Sequence, residues 1–130
     1  MADHPNAVLM KNGYAAFAKG DMATLTDLFA DDVVWHLFGH NQLSGVHRGR
    51  DAVFATFAKT VELSGGTFNI EVHDVVANDE HAVALTRATG TREGISLDSS
   101  DTDVYHMKDG KVTEFWSFVE DEHETDAFWS

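Results

Sequence analysis

The hydrophobic period of this chain changes once, near residue 66, and that change limits what it can fold into. Before it, apolar residues recur at helical spacing; after it, they alternate. Over 4–19, Met10, Tyr14 and Phe17 fall at i, i+4, i+7 and Pro5 suits a first turn, which predicts a helix. Gly20 is placed to follow its end, and Asp21 to cap a second helix whose buried face is Met22, Leu25, Leu28 and Phe29. Asp31-Asp32 is expected to end that helix, with the apolar run 33–38 as a strand. Residues 50–63 predict a third helix with Phe54, Phe57 and Val61 on its inner stripe, closed by Ser64-Gly65-Gly66.

From Thr67 the period is two. Phe68, Ile70 and Val72 alternate with Asn69, Glu71 and His73, so one face of that strand is buried and one is wet. Asn78-Asp79-Glu80 makes a turn, HAVALTRATGTR a strand, Glu93-Gly94 a turn and ISLDSSDTDVYHM another strand. Asp109-Gly110 is the clearest hairpin signal, followed by the strand KVTEFWSFVE and an acidic tail with room for a short helix. Helices first and a strand meander after predict an α+β fold: a curved antiparallel sheet wrapped over about three N-terminal helices, with 1–130 as a single domain.

The totals narrow the function. Nine Lys plus Arg against 22 Asp plus Glu give a net charge of −13, which repels phosphate backbones and anionic membranes, so no nucleic-acid or membrane partner is expected. No cysteine is present, which excludes disulfides and thiol nucleophiles. The first residues lack the pattern of a signal peptide and no run reaches the ~20 apolar residues of a membrane span, so a cytoplasmic protein is expected. There is no GxSxG, P-loop or GxGxxG. His36, His40 and His47 are close in sequence, but their spacings match no standard metal site, so neither metal nor cofactor is expected.

The joint between the helical and stranded parts, Asp31 to Arg50, is where one domain can leave a hollow, and it presents Trp35 and His36. The ordered set Tyr14-Ala-Ala-Phe17 with Gly20-Asp21, Leu28-Phe29-Ala30-Asp31-Asp32-Val33-Val34-Trp35, Gly45, Gly49-Arg50-Asp51-Ala52-Val53, and Asp109-Gly110-Lys111-Val112 with Glu114-Phe115-Trp116 spans nearly the whole chain. It resembles the SnoaL-like and ketosteroid isomerase-like branch of the nuclear transport factor 2-like superfamily. The resemblance implies a cone-shaped fold with a blind apolar pocket, a homodimer and no metal. It also implies positions: the carboxylate base of ketosteroid isomerases falls on His36, their proton-donating carboxylate matches Asp103, and their first-helix tyrosine lies near Tyr14. Since an imidazole replaces the base, steroid isomerase activity itself does not carry over.

Each candidate has a plain alternative. His36 suits general-base work near neutral pH, or is hydrogen-bonded in the core or faces solvent. Asp103, if it faces an apolar cavity, has its pKa raised and can donate a proton; otherwise it is an exposed strand aspartate like Asp98 and Asp101. Tyr14 either meets a substrate oxygen or packs in the core. Trp35 and Trp116 offer flat walls for a ring-shaped ligand or are simply core, with Phe17 and Phe57 as further lining candidates. Arg87, beside Val83 and Leu85, needs a carboxylate partner, whether Asp103, Glu114 or one on the ligand. The residues and the resemblance together point to a small, largely apolar ligand, with polycyclic and polyketide-like molecules among the options, and to cofactor-free proton transfer of isomerase, cyclase, dehydratase or epoxide-opening type. The alternatives are a non-catalytic binder using the same pocket, and a protein whose sheet serves only dimerisation.

Overall fold

The structure, a computed structural model, describes residues 3–130. Ten elements follow one another: α1 (Pro5–Lys19), α2 (Met22–Leu28), β1 (Phe29–Leu37), β2 (Gly45–Arg48), α3 (Arg50–Leu63), β3 (Asn69–Ala77), β4 (His81–Arg92), β5 (Ile95–Lys108), β6 (Lys111–Phe118) and α4 (Glu122–Trp129). The strands form one six-stranded sheet in the order β2-β1-β6-β5-β4-β3. Every neighbouring pair is antiparallel except β1 and β6, which run parallel, so the expected antiparallel sheet is mixed. A parallel pair needs a long crossover, here everything from β2 to β5. Irregularities interrupt β1 at Phe29/Val34, β3 at Val72/Asp74 and β5 at His106/Met107. Such bulges bend strands, and a bent sheet can fold partly around its helices.

Local chemistry explains the element ends. Gly20, at φ 70°, closes α1 with the left-handed conformation, and the Asp21 side chain accepts the Thr24 N–H to start α2. Asp109 and Gly110 take positive φ of 51° and 75°, the geometry of a two-residue hairpin turn. The joint differs from expectation in one respect. Phe29 to Asp32 already belong to β1, because Arg50 reaches back from the start of α3 to the carbonyls of Thr26 and Phe29 and to Asp31. Asp31-Asp32 is therefore the exposed stretch of a strand rather than the end of α2. Met22 and Val61 were expected inside and are about half exposed; the α3 stripe instead carries Val53, Thr56 and Thr60. Those threonines can be buried because each hydroxyl donates to the carbonyl one turn earlier.

Two clusters form the interior. The larger lies between α1, α2, α3 and the sheet and includes Met10, Leu28, Phe29, Val33, Trp35, Val53, Tyr105 and Phe115. The smaller gathers Leu43, Ala88, Leu97, Phe128 and Trp129 under α4. No helix among the described residues is long and apolar enough to cross a membrane.

Phe128 is wholly buried and anchors α4 to the sheet end, where Gly90 leaves room for its ring. We expect Phe128→Ala to cost about 3–5 kcal/mol, read as a lowered urea midpoint; a loss under about 1 kcal/mol would mean α4 contributes little to the core.

Candidate functional site

The inward face of β5 carries every second residue: Leu97, Ser99, Asp101, Asp103, Tyr105 and Met107. Facing partners on β4 are small, with Ala84 opposite Asp103 and Ala82 opposite Tyr105. Small side chains there, together with the bent sheet, leave a cavity of about 270 Å³ between sheet and helices. Its wall is mostly apolar and aromatic: Met10 and Phe17 from α1, Leu25 and Leu28 from α2, Phe57 from α3, Trp35 and Leu37 from β1, Phe115 from β6 and Trp129 from α4.

Into this wall is set a chain of hydroxyls ending on a carboxylate. Tyr14 Oη donates to Asp103 Oδ2 at 2.5 Å, and Ser117 Oγ donates to Asp103 Oδ1 at 3.0 Å. Tyr14 and Tyr105 hydroxyl oxygens lie 2.6 Å apart. Since the Tyr14 proton goes to Asp103, Tyr105 is the donor to Tyr14. Asp103 is buried, with a pKa pushed up to about 6 by loss of water; the hydrogen bonds from Tyr14 and Ser117 oppose the rise and the neighbouring Asp101 charge adds to it. Burial, with the nearby Asp103 charge, holds both tyrosine hydroxyls well above their ordinary value; Tyr105 adds to the rise for Tyr14, whereas the hydrogen bond with Tyr14 opposes it for Tyr105. Asp101, two residues earlier on the same face, is also raised by burial while accepting from Ser99 Oγ at 2.5 Å.

Tyr14, Asp103, Trp35, Phe17 and Phe57 thus all line one cavity. Trp35 stacks on Phe115 with ring centroids 3.7 Å apart and takes the edge of Phe57 at 5.3 Å. His36 and Trp116 are placed elsewhere. Side chains alternate along a strand, so with Trp35 inward His36 points outward, and with Phe115 and Ser117 inward Trp116 does too. On that outer face His36 Nε2 lies 2.7 Å from Glu114 Oε2, and the imidazole is parallel to the Trp116 indole at 5.0 Å. The expected base and one expected wall are therefore corrected to outer-face residues. Arg87 is also outside the cavity. It makes a two-pronged pair with Asp98, Nε to Oδ1 at 2.8 Å and Nη2 to Oδ2 at 2.6 Å, rather than reaching Asp103 or Glu114. Asp98 holds its guanidinium pKa up and is itself held below the usual carboxylate range.

Tyr105, Ser117, Asp101, Phe115 and Trp129 are site residues that the sequence reading did not single out. The signal for two of them was available: Asp101 and Tyr105 must share a strand face with Asp103. His36, His40 and His47 do not gather. His40 instead lies with Glu122 and Asp126, their donor atoms within 4.8 Å of one another, though Asp126 Oδ1 already accepts from the His40 N–H at 2.9 Å and the Asn41 amide at 2.7 Å.

Comparison with known proteins gives the same architecture. The SnoaL-like domain family matches residues 11–115. An uncharacterized protein of Mycobacterium tuberculosis H37Rv is 34% identical over 131 residues, covering 100% of both chains. Bal32a, from a soil-derived mobile gene cassette, superimposes with a TM-score of 0.93 at 36% identity over 97% of each chain. IdmH of Streptomyces antibioticus, described as a candidate polyketide cyclase, shares the fold with a TM-score of 0.75 at 21% identity, over 90% of this chain and 93% of its own.

Burial of Asp103 has a thermodynamic signature. Its folded pKa of about 6 exceeds the ordinary 3.8, so the native state binds the proton more tightly than the unfolded chain. Native stability from this group is full below about pH 4 and is lost as pH rises through about 6, on the order of 3 kcal/mol in all. Asp101 adds to the same slope. We expect Asp103→Asn to flatten the decline in thermal unfolding midpoints between about pH 4 and about pH 8; an unchanged slope would place its source elsewhere.

Proposed function

Because this chain belongs to the SnoaL-like domain family, we propose that its cavity binds a small, largely apolar molecule and catalyses proton transfer on it without a cofactor, with Asp103 as the group that moves the proton. The observation that carries this reading is a buried carboxylate, pKa about 6, at the end of a hydroxyl chain in an otherwise apolar cavity. A structural aspartate gains nothing from such burial, whereas a proton carrier works best with a pKa near the ambient pH.

The geometry supports a simple cycle. At neutral pH Asp103 is mostly ionised and accepts from Tyr14 and Ser117. It takes a proton from an acidic C–H or O–H of the bound molecule. Once Asp103 has taken that proton it no longer needs the Tyr14 hydroxyl, whose hydrogen, backed by the donor Tyr105, turns toward the negative charge growing on a substrate oxygen. Protonated Asp103 then returns the proton at a second position. Isomerisation, cyclisation and dehydration all consist of such steps, and the description of IdmH as a candidate polyketide cyclase supports this class. Trp35, Phe115, Phe17 and Phe57 hold a flat apolar body and exclude water.

A neutral bicyclic ketone, β-tetralone, tests the reading by deuterium incorporation in D₂O followed by NMR. The protein should accelerate exchange at the carbon next to the carbonyl. Asp103→Asn should remove about 100-fold or more of that acceleration and Tyr14→Phe about tenfold, while His36→Ala stays within about twofold. Binding of β-tetralone with no acceleration would favour the non-catalytic binder.

We also propose that two copies associate through the outer sheet face, which leaves Val46, Val76 and Leu85 41–58% exposed around Trp116. Sedimentation equilibrium should give a dimer mass, and Leu85→Lys should shift it toward the monomer; a monomer at micromolar concentration would sink the idea.

A further inference from the structure

Strand pairing gathers on the outer face of the sheet a set of donors that are far apart along the chain. His81 on β4 sits opposite His106 on β5, and His106 sits opposite Glu114 on β6. Directly opposed residues point to the same face, so the three stand side by side across adjacent strands. Their chain neighbours Ala82, Tyr105 and Phe115 are buried on the other face, toward the cavity. The His81 and His106 rings meet edge to face with centroids 5.1 Å apart. Two imidazoles and one carboxylate are the ligand set of zinc sites that keep an open position for water.

The Glu114 carboxylate is already oriented for this task. An imidazole facing a carboxylate donates to it, so the His36 Nε2–H holds Oε2 at 2.7 Å and leaves Oε1 turned toward His106. Metal-ligating carboxylates are commonly fixed in this way by a hydrogen bond from outside the ligand set. Oε1 lies 3.8 Å from His106 Nδ1, too far for a hydrogen bond. Two donors on one tetrahedral zinc, each bonded at about 2.0–2.2 Å, lie about 3.4 Å apart, so the observed gap needs little closure. His81 and His106 are exposed, so turning the His81 ring about its own side-chain bonds brings a nitrogen to the same point without disturbing the core. Among the described residues no lysine or arginine pairs with Glu114, and a net charge of −13 favours a cation.

We propose that His81, His106 and Glu114 bind a divalent transition-metal ion of the zinc type on the outer face of the sheet, with His36 as the residue that positions the Glu114 carboxylate. The ion lies on the opposite face from Asp103 and has no part in the proton transfer at the cavity. It ties β4, β5 and β6 together through their side chains. His40, Glu122 and Asp126 form a rival set, with donor atoms within 4.8 Å of one another, but Asp126 Oδ1 is already engaged by the His40 N–H and the Asn41 amide.

Zinc chloride titrated calorimetrically into the full chain at about pH 7.5, where an ordinary imidazole is mostly neutral, should bind as one ion per chain with a dissociation constant of about 10 μM or tighter. Co²⁺ in its place should give the visible absorption of a four-coordinate ion. His106→Ala and Glu114→Gln should each weaken zinc binding about tenfold or more, while His40→Ala leaves it within about twofold. His36→Ala should weaken it about tenfold with the four-coordinate absorption retained, and His36→Gln, whose amide still donates to Glu114, should recover most of the loss. Because all three ligands belong to one chain, Leu85→Lys should bind zinc within about threefold of the unaltered protein. A dissociation constant weaker than about 100 μM overturns the proposal. So does an affinity that His106→Ala and Glu114→Gln leave unchanged, which would place the ion on the His40 set or on a lone surface histidine. Either result leaves the reading of the cavity untouched.

Discussion

The hydrogen bond from Tyr14 to Asp103 is the interaction on which the rest of the structure turns, because it ties the helical layer to the sheet at the one fully buried carboxylate among the described residues. A carboxylate removed from water is costly unless donors replace the lost solvent. Here one donor comes from α1 and the other, Ser117, from β6, while Asp103 itself belongs to β5. The β5–β6 hairpin and α1, almost ninety residues earlier, must therefore be in register before the carboxylate is satisfied. The same contacts leave Asp103 with a pKa of about 6, since they only partly offset burial. Fold closure and chemical competence depend on the same pair of hydroxyls.

The cavity exists because of what the sheet omits. The inward positions of β4 are Ala82, Ala84, Thr86 and Ala88, where larger side chains would fill the space below α1. Protein interiors are otherwise packed to crystal-like density, so a hollow of about 270 Å³ among aromatic rings has to be held open by rigid walls. Stacking of Trp35 on Phe115 and the edge contacts of Phe57 with Phe17 and Trp35 make such a wall. α4 closes the far side through Phe128 and Trp129, which pack with Leu43, Ala88 and Leu97.

Much of this architecture was legible from period and turn chemistry. The switch from helical spacing to alternation placed three helices before the meander, and Asp109-Gly110 and Glu93-Gly94 both turn with positive φ, which Gly adopts freely, Asp tolerates and Glu93 takes against its preference. The boundary of α2 was misplaced because Phe29 is apolar and continues the helical spacing, while Arg50, far along the chain, draws its carbonyl into the joint. β2 was unreadable because its four residues, Gly45–Arg48, have no apolar alternation and are strand only through pairing with β1. The parallel pairing of β1 with β6 is likewise set by contacts between segments far apart, which local pattern does not encode. Of the residues named from sequence, Tyr14, Asp103 and Trp35 lie on the cavity wall, and the outward His36 and Trp116 were not separated from them. Val33-Val34-Trp35-His36-Leu37-Phe38 and Phe115-Trp116 are apolar or aromatic on both parities, so alternation gave no phase.

That phase decides which of two acid–base sites can do chemistry. On the outer face His36 and Glu114 make a close pair, but their side chains are 20% and 33% exposed, and water there screens the charge each presents to the other. On the inner face the Asp103 carboxylate, with no counter-ion among the described residues, is buried among rings and hydroxyls beside Asp101. A dipole acting in that setting is felt far more strongly than in solvent. The outer pair has what a general base needs in residue type and lacks an enclosed space for a substrate. The inner carboxylate has both, and under the proposed reading one residue of strand parity moves the base from an imidazole to Asp103.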